Sequence, residues 1–274
     1  MANKYNFIAL YPESVNFYDG DTLVNTFNDI IRETTNEEIS SICLSDSERY
    51  VYPKYPNCDR GRCGWAPCAD DANFVKLLID HFKDNYKIRN VYMIGNSSGG
   101  TFVNSYVCKY PESITSAISI NGMSRLGFGC TPNQPVNFIT YASLNDTSVP
   151  PIGGISADGL FYETQESLIK TWVDKFECKE KVSKTYKHFE TFNENLFSEC
   201  LGGIKIVSIL NLDSDHMWPE AGYDKETGLS SYTNYGTCVT DIQDEFKIPK
   251  CYRTNDRWGS EFILKKLFEF DNVN

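Results

Sequence analysis

Short apolar runs of strand length alternate along the chain with amphipathic stretches of helical period, an order that predicts an α/β fold class with a largely parallel sheet flanked by helices. Residues 7–11, Phe-Ile-Ala-Leu-Tyr, read as a short buried-type strand that Pro12 ends. Residues 71–86 have helical spacing, with Phe74, Val75, Leu78 and Phe82 inside and Asp80, Lys83 and Asp84 outside. Residues 91–94 form a strand, and the segment after Gly100 is the helix that follows it. Residues 114–120 and 138–141 read as the next two strands, 164–176 as a helix, 204–210 as a strand and 261–270 as a closing helix. Two stretches break the pattern: 13–68 is polar and irregular, and 221–256 is rich in Gly, Tyr, Thr and Asp. Long excursions of this kind in compact domains are usually functional or stapled.

Length adds a bound on organisation, since 274 residues suit one large α/β domain, residues 1–274, with a well-buried core. Hydrophobic residues at 41% and charged residues at 23% exclude wholesale disorder. A formal net charge of −11 argues against nucleic acid, whose phosphates need clustered Lys and Arg. No uncharged apolar run approaches a membrane span, so no membrane partner is expected. The 10 cysteines, an even number, exceed what a reducing cytosol tolerates without a metal or redox role. Cys58, Cys63 and Cys68 are spaced too loosely for structural zinc and have no nearby His, so disulfides are the expected use, with Cys178–Cys200 and Cys238–Cys251 as the local pairs.

The strand at 91–94 runs into Gly95-Asn96-Ser97-Ser98-Gly99, the sequence form of a nucleophile elbow. A serine forced onto a strand-to-helix corner calls for glycine two residues to either side, where a Cβ would collide with the neighbouring strand or helix. A serine attacks only when a base takes its proton, and the base needs a third group to fix its tautomer. Of the 3 histidines, His81 lies in the amphipathic helix and His188 in a Lys-, Thr- and Glu-rich stretch, both ordinary surface or half-buried settings. His216, in Asp215-His216-Met217-Trp218-Pro219, follows an apolar strand, and loops at strand carboxyl ends are where α/β sheets place sites. The acid should fall between Ser and His in chain order, which selects Asp146 in the loop after the strand at 138–141. Asp158, Asp213 and Asp215 are the rivals, and the bland reading of Asp146 is a turn residue bonding its own backbone.

These residues carry a resemblance. The stretch 64–123, with Trp65, Cys68-Ala69-Asp70-Asp71, the elbow and Cys108-Lys109-Tyr110-Pro111-Glu112, resembles the secreted esterase family that groups polyhydroxybutyrate depolymerases with feruloyl esterases. The block 141–154 looks like that family's acid loop, and residues 215–219 look like its Gly-His-Thr-Trp-Pro histidine loop. Trp172, Cys178 and Cys200 also sit where such enzymes carry a helix and a disulfide. The resemblance implies an α/β-hydrolase fold in which Ser97 attacks an ester carbonyl, His216 moves the proton and Asp146 holds His216. It further implies that the backbone N–H of Ser98 is one oxyanion donor and that Trp218 walls the substrate pocket, unless Trp218 is simply a core aromatic.

The family's first strands and its His-Gly loop, which supplies a second oxyanion donor, are unmatched ahead of the strand at 6–12, so the chain reads as shortened at its amino end. On that reading the sheet lacks its first strands, and the missing strand between the strand at 6–12 and the elbow strand leaves the middle of the sheet open. Loss of one oxyanion donor costs roughly 2.7–4 kcal/mol in such sites. The resemblance implies a secreted, extracellular serine esterase acting on feruloyl or acetyl esters of plant cell-wall polysaccharide, with a polysaccharide or small aromatic ester as partner. The alternatives are a polyhydroxyalkanoate depolymerase of the same fold and a hydrolase-like binding protein without the oxyanion loop. Serine acyl transfer requires no cofactor and no metal. Asn96 and Asn145 both open glycosylation sequons at the candidate site, and neither is expected to be used.

Overall fold

The computed structural model describes residues 2–14, 16–19, 22–29, 70–126, 128–157, 161–188, 190–219, 223–224, 229–230 and 258–270. Its centre is a six-stranded sheet built from β1 (Tyr92–Asn96), β2 (Ser116–Ile120), β3 (Asn137–Ser143), β4 (Glu180–His188), β5 (Glu190–Ser198) and β6 (Ile206–Asn211). Their order across the sheet is β1-β2-β3-β6-β5-β4. The first four in that order run parallel, and β5 and β4 complete the sheet as an antiparallel hairpin.

Period-2 alternation divides the sheet between two hydrophobic layers. Ala117, Phe138 and Ala142 face one layer, closed by α1 (Asp71–Asn85), α2 (Ser98–Lys109) and α3 (Gln165–Lys175). Ile118, Ile120, Ile139 and Tyr141 face the other, closed by Ile263 and Leu267 of α4 (Trp258–Phe268). Trp172 of α3 is fully buried and stacks on Phe138 with ring centroids 4.1 Å apart. Side-chain caps start two of the helices: Asp70 accepts from Asn73 N, and Thr164 Oγ1 from Ser167 N at 2.9 Å.

Three expectations change. Residues 7–11 form no strand; Ile8, Leu10 and Tyr11 lie exposed, and the amino-terminal segment docks on α4 instead. There Phe7 and Tyr5 meet the Phe268 ring at 6.4 and 5.6 Å, and Lys4 and Tyr5 both donate to Glu261 at 3.0 Å. Glu261 is held down at about 2 by hydrogen bonds from Lys265, Lys4 and Tyr5. In α1 the buried face is Ala72, Val75 and Ile79, with Phe74 exposed, so the helix is rotated from the predicted face.

The third change is the β4–β5 hairpin, two nine-residue strands in a stretch that carries no predicted element. The outer strand β4 is exposed along most of its length, where Lys181, Lys184 and Lys187 discourage edge-to-edge pairing. Polar pairs join it to β5, Ser183 to Asn195 and Thr185 to Asn193, each at 2.7 Å. The buried carboxylate of Glu194 takes Lys266 of α4 at 2.9 Å and Lys184 at 3.0 Å. Burial pushes this carboxyl up, but hydrogen bonds from Lys266, Lys184 and Tyr186 outweigh it and hold it below the ordinary range.

Cys178 and Cys200 form the expected disulfide, tying the end of α3 to the end of β5. A second joins Cys108 at the end of α2 to Cys130 before β3. The Cys238–Cys251 pair and Cys43, Cys58, Cys63 and Cys68 lie outside the described residues. A cross-link over a sequence separation of 22 restricts the unfolded chain by about 3 kcal/mol. The paired replacement Cys178→Ser with Cys200→Ser is therefore expected to lower the unfolding free energy by about that amount in guanidinium titration.

Candidate active site

The carboxyl ends of β1, β3 and β6 converge on one point. Ser97 sits between β1 and α2 with φ 56° and ψ −125°, a left-handed conformation that costs a non-glycine residue about 1–3 kcal/mol. Main-chain bonds on both sides hold it there: its N–H donates to the Ile120 carbonyl at 2.9 Å, and its carbonyl accepts from Thr101 N at 3.0 Å. The corner also depends on glycine. A Cβ on Gly95 would lie 2.0 Å from the Gly99 carbonyl oxygen, so this position excludes every larger residue.

The expectation for Gly99 is corrected, because a Cβ there meets nothing within 4 Å among the described residues. The second tight approach falls instead on Gly100, where a Cβ would lie 2.7 Å from the Ile120 oxygen, and on Gly122, where it would lie 2.4 Å from Gly100 C. The helix presses on β2 one residue later than the sequence pattern implies.

His216 lies in the loop after β6, with its Nε2 2.7 Å from Ser97 Oγ and its Nδ1 2.7 Å from Asp146 Oδ2. These contacts join residues separated by 119 and 70 positions in the chain. The Asp146 side chain is fully buried at 0% exposure and the His216 ring is 24% exposed. A carboxylate only accepts, so it draws the ring proton to Nδ1 and leaves the Nε2 lone pair for the Ser97 hydroxyl. The other Asp146 oxygen, Oδ1, accepts from Ser148 N and Val149 N at 2.8 Å each. The turn role and the role toward His216 thus belong to different oxygens of one side chain.

Asp213 turns away to accept from Thr191 N at 2.7 Å, and Asp158 lies outside the described residues. His81 and His188 are exposed, the latter stacked on Phe262. Ser98 opens α2, where a helix start leaves backbone N–H groups without intrahelical partners and positive in potential. Trp218 is half-buried, packs against the layer closed by α4, and donates from Nε1 to Ser260 Oγ at 3.2 Å. Among the described residues no group of three or more His, Cys, Asp or Glu could hold a metal ion, and no helix is long and apolar enough to cross a membrane.

The sequence reading missed a polar support beneath the histidine loop. Asn211, fully buried at the end of β6, donates through Nδ2 to Tyr141 Oη and Glu190 Oε2, both at 2.6 Å, while its Oδ1 accepts from Asp213 N. Burial raises the Glu190 carboxyl above its ordinary value, the Asn211 bond opposing. An acid with a raised folded-state pKa binds more protons folded than unfolded, so stability falls as pH rises through the interval between the two values. Glu190→Gln keeps an oxygen for Asn211 and removes that fall. The stability difference, variant minus wild type, is expected to increase between pH 4 and pH 8 in urea titrations.

The family model described as alpha/beta hydrolase fold matches residues 47–145. Among solved structures, one titled as a thermostable esterase is similar at 22% identity and a TM-score of 0.32, covering 40% of this chain. The match spans 26% of that protein's length. No curated protein matches. The fold is that of the α/β-hydrolases, with a mostly parallel central sheet flanked by helices.

Proposed function

We propose that the protein is a secreted serine esterase that cleaves feruloyl or acetyl esters of plant cell-wall polysaccharide through an acyl-enzyme on Ser97. The observation that carries this reading is the unbroken series of 2.7 Å contacts from Ser97 Oγ to His216 to Asp146. His216 Nε2 takes the hydroxyl proton as Oγ bonds to the ester carbon, and Asp146 stabilises the imidazolium. The carbonyl oxygen becomes an oxyanion facing the Ser98 N–H at the start of α2. Collapse breaks the bond to the alkoxy oxygen, which leaves with the proton from Nε2, and water repeats the cycle on the acyl group to free the acid.

The ester class rests on the acid and histidine loops that resemble feruloyl esterases, with Trp218 as a wall of the acyl pocket. Export agrees with the disulfides Cys108–Cys130 and Cys178–Cys200. A second reading, a hydrolase-like binding protein, is favoured by the edge position of β1, which among the described residues pairs only with β2.

The test is to incubate the whole chain with a fluorophosphonate and locate the adduct by peptide mass spectrometry. Modification of Ser97 that disappears in His216→Ala supports the esterase, after which feruloyl and acetyl esters are compared as substrates. Folded protein that remains unmodified sinks the esterase reading and supports the binding protein.

A further inference from the structure

The residue after β2, Asn121, is fully buried and left-handed, with φ 45°. Asparagine enters this region more readily than most residues, yet glycine would do so at no cost and without burying an amide. Half of the amide is bonded. Nδ2 donates to the Met217 carbonyl at 2.6 Å, while Oδ1 is buried with no partner among the described residues. The fold therefore keeps a strained, partly unsatisfied side chain whose one hydrogen bond reaches the residue after His216.

The neighbouring contacts show what that bond connects. Ile120, one residue earlier, accepts from Ser97 N at 2.9 Å, and the Asn121 N–H donates to the Tyr141 carbonyl of β3 at 2.7 Å. Other bonds hold the histidine loop from different sides: Asn145 N to the Ser214 carbonyl at 3.2 Å on the acid side, Met217 N to the Asp215 carbonyl at 2.7 Å within the loop, Leu212 N to the Thr191 carbonyl at 2.9 Å on β5 and Trp218 Nε1 to Ser260 Oγ at 3.2 Å on α4. The Asn121 side chain reaches it from the end of β2, beside the residue that holds Ser97 N. We infer that Asn121 is a positioning residue for the proposed reaction, and that the dipeptide Ile120-Asn121 sets the separation of nucleophile and base by gripping Ser97 with its main chain and the His216 loop with its side chain.

This inference rests on the esterase reading, so its test carries a readout that needs no catalysis. Asn121→Asp keeps shape and size but turns the donor into an acceptor facing the Met217 oxygen. Modification of Ser97 by a fluorophosphonate at pH 8 is expected to slow about 10²-fold, the scale of a misplacement of about 1 Å, with the melting temperature of the variant recorded alongside. The deficit relative to wild type narrows as pH falls through the pKa of the introduced carboxyl, because its protonated form again donates to Met217. Asn121→Gly suits the backbone and removes the donor, so its deficit is constant with pH. A residue serving only the fold would slow the reaction only as far as the melting temperature shows unfolding at the assay temperature, so a deficit in fully folded variant protein is the mark of positioning.

Either variant reacting within about threefold of wild type overturns the inference and leaves the esterase reading standing. Wild-type protein that does not react refutes the esterase reading. The inference is then decided by the downfield proton resonance of His216 Nδ1–H, which is expected to shift or vanish in Asn121→Asp. An unchanged resonance overturns it.

Discussion

Ser97→Ala is expected to lower kcat for a small aryl ester about 10⁶-fold, and Asp146→Asn about 10⁴-fold, with both proteins still folded. The serine change removes the atom that bonds to substrate. Its backbone cost is already present in the wild type, since alanine at φ 56° is no worse placed than serine. The aspartate change is more informative because the two carboxylate oxygens are divided between two roles. Oδ1 accepts from Ser148 N and Val149 N, and an asparagine oxygen serves both equally well.

The amide nitrogen then faces His216 Nδ1 in place of Oδ2. A donor there holds the ring in the other tautomer, with its proton on Nε2, where it cannot receive the Ser97 proton. Asp146→Ala also strips the acceptor from two backbone N–H groups in a buried turn and is expected to cost about 1–3 kcal/mol of stability besides the rate. Steady-state kinetics with melting curves on the three variants separate the roles. Wild-type kcat in Asp146→Asn would show that another group orients His216.

Much of this arrangement can be read from residue pattern alone, for a physical reason. Buried parallel strands are nearly continuous apolar runs, and residues 114–120, 138–141 and 204–210 announce themselves as such, each lying within one or two residues of an observed strand. The β4–β5 hairpin does not, because its signal is broken at the position that matters. Phe192 and Leu196 lie on one side of β5, but Glu194 stands between them, buried against Lys266, a residue 72 positions away. A charged residue at an inward position reads as surface until its partner is known.

Residues 7–11 fail in the opposite sense. They are apolar enough for a core strand, yet whether an apolar run becomes a strand depends on finding a sheet edge, and this one meets the aromatic ring of Phe268 instead. At the candidate site, chain order and loop position point to Asp146 and His216. Asn121 and Asn211 lack any such mark: Asn121-Gly122 reads as an ordinary strand-end turn, and their hydrogen bonds exist only after distant loops have met.

Gly95→Ala is expected to destabilise the protein by about 3 kcal/mol or more and to reduce Ser97 reactivity about 10²-fold or more, whereas Gly99→Ala should leave stability unchanged or raise it by up to about 1 kcal/mol. The Cβ added at Gly95 lies 2.0 Å from Gly99 O, 2.4 Å from Gly99 C and 2.8 Å from Gly100 N. All three are backbone atoms of the first turn of α2, so no side-chain rotation relieves the clash. The turn is also pressed close to β2, because a Cβ on Gly100 would already lie 2.7 Å from the Ile120 oxygen. The overlap must therefore move the helix start, and Ser97 and the Ser98 N–H move with it. At Gly99 the added methyl enters open space among the described residues, in a helical position where alanine outranks glycine. Denaturation midpoints and rates of fluorophosphonate modification for the two variants test this directly. Equal tolerance at both positions would mean that the corner is not fixed by contact between β1 and the first turn of α2.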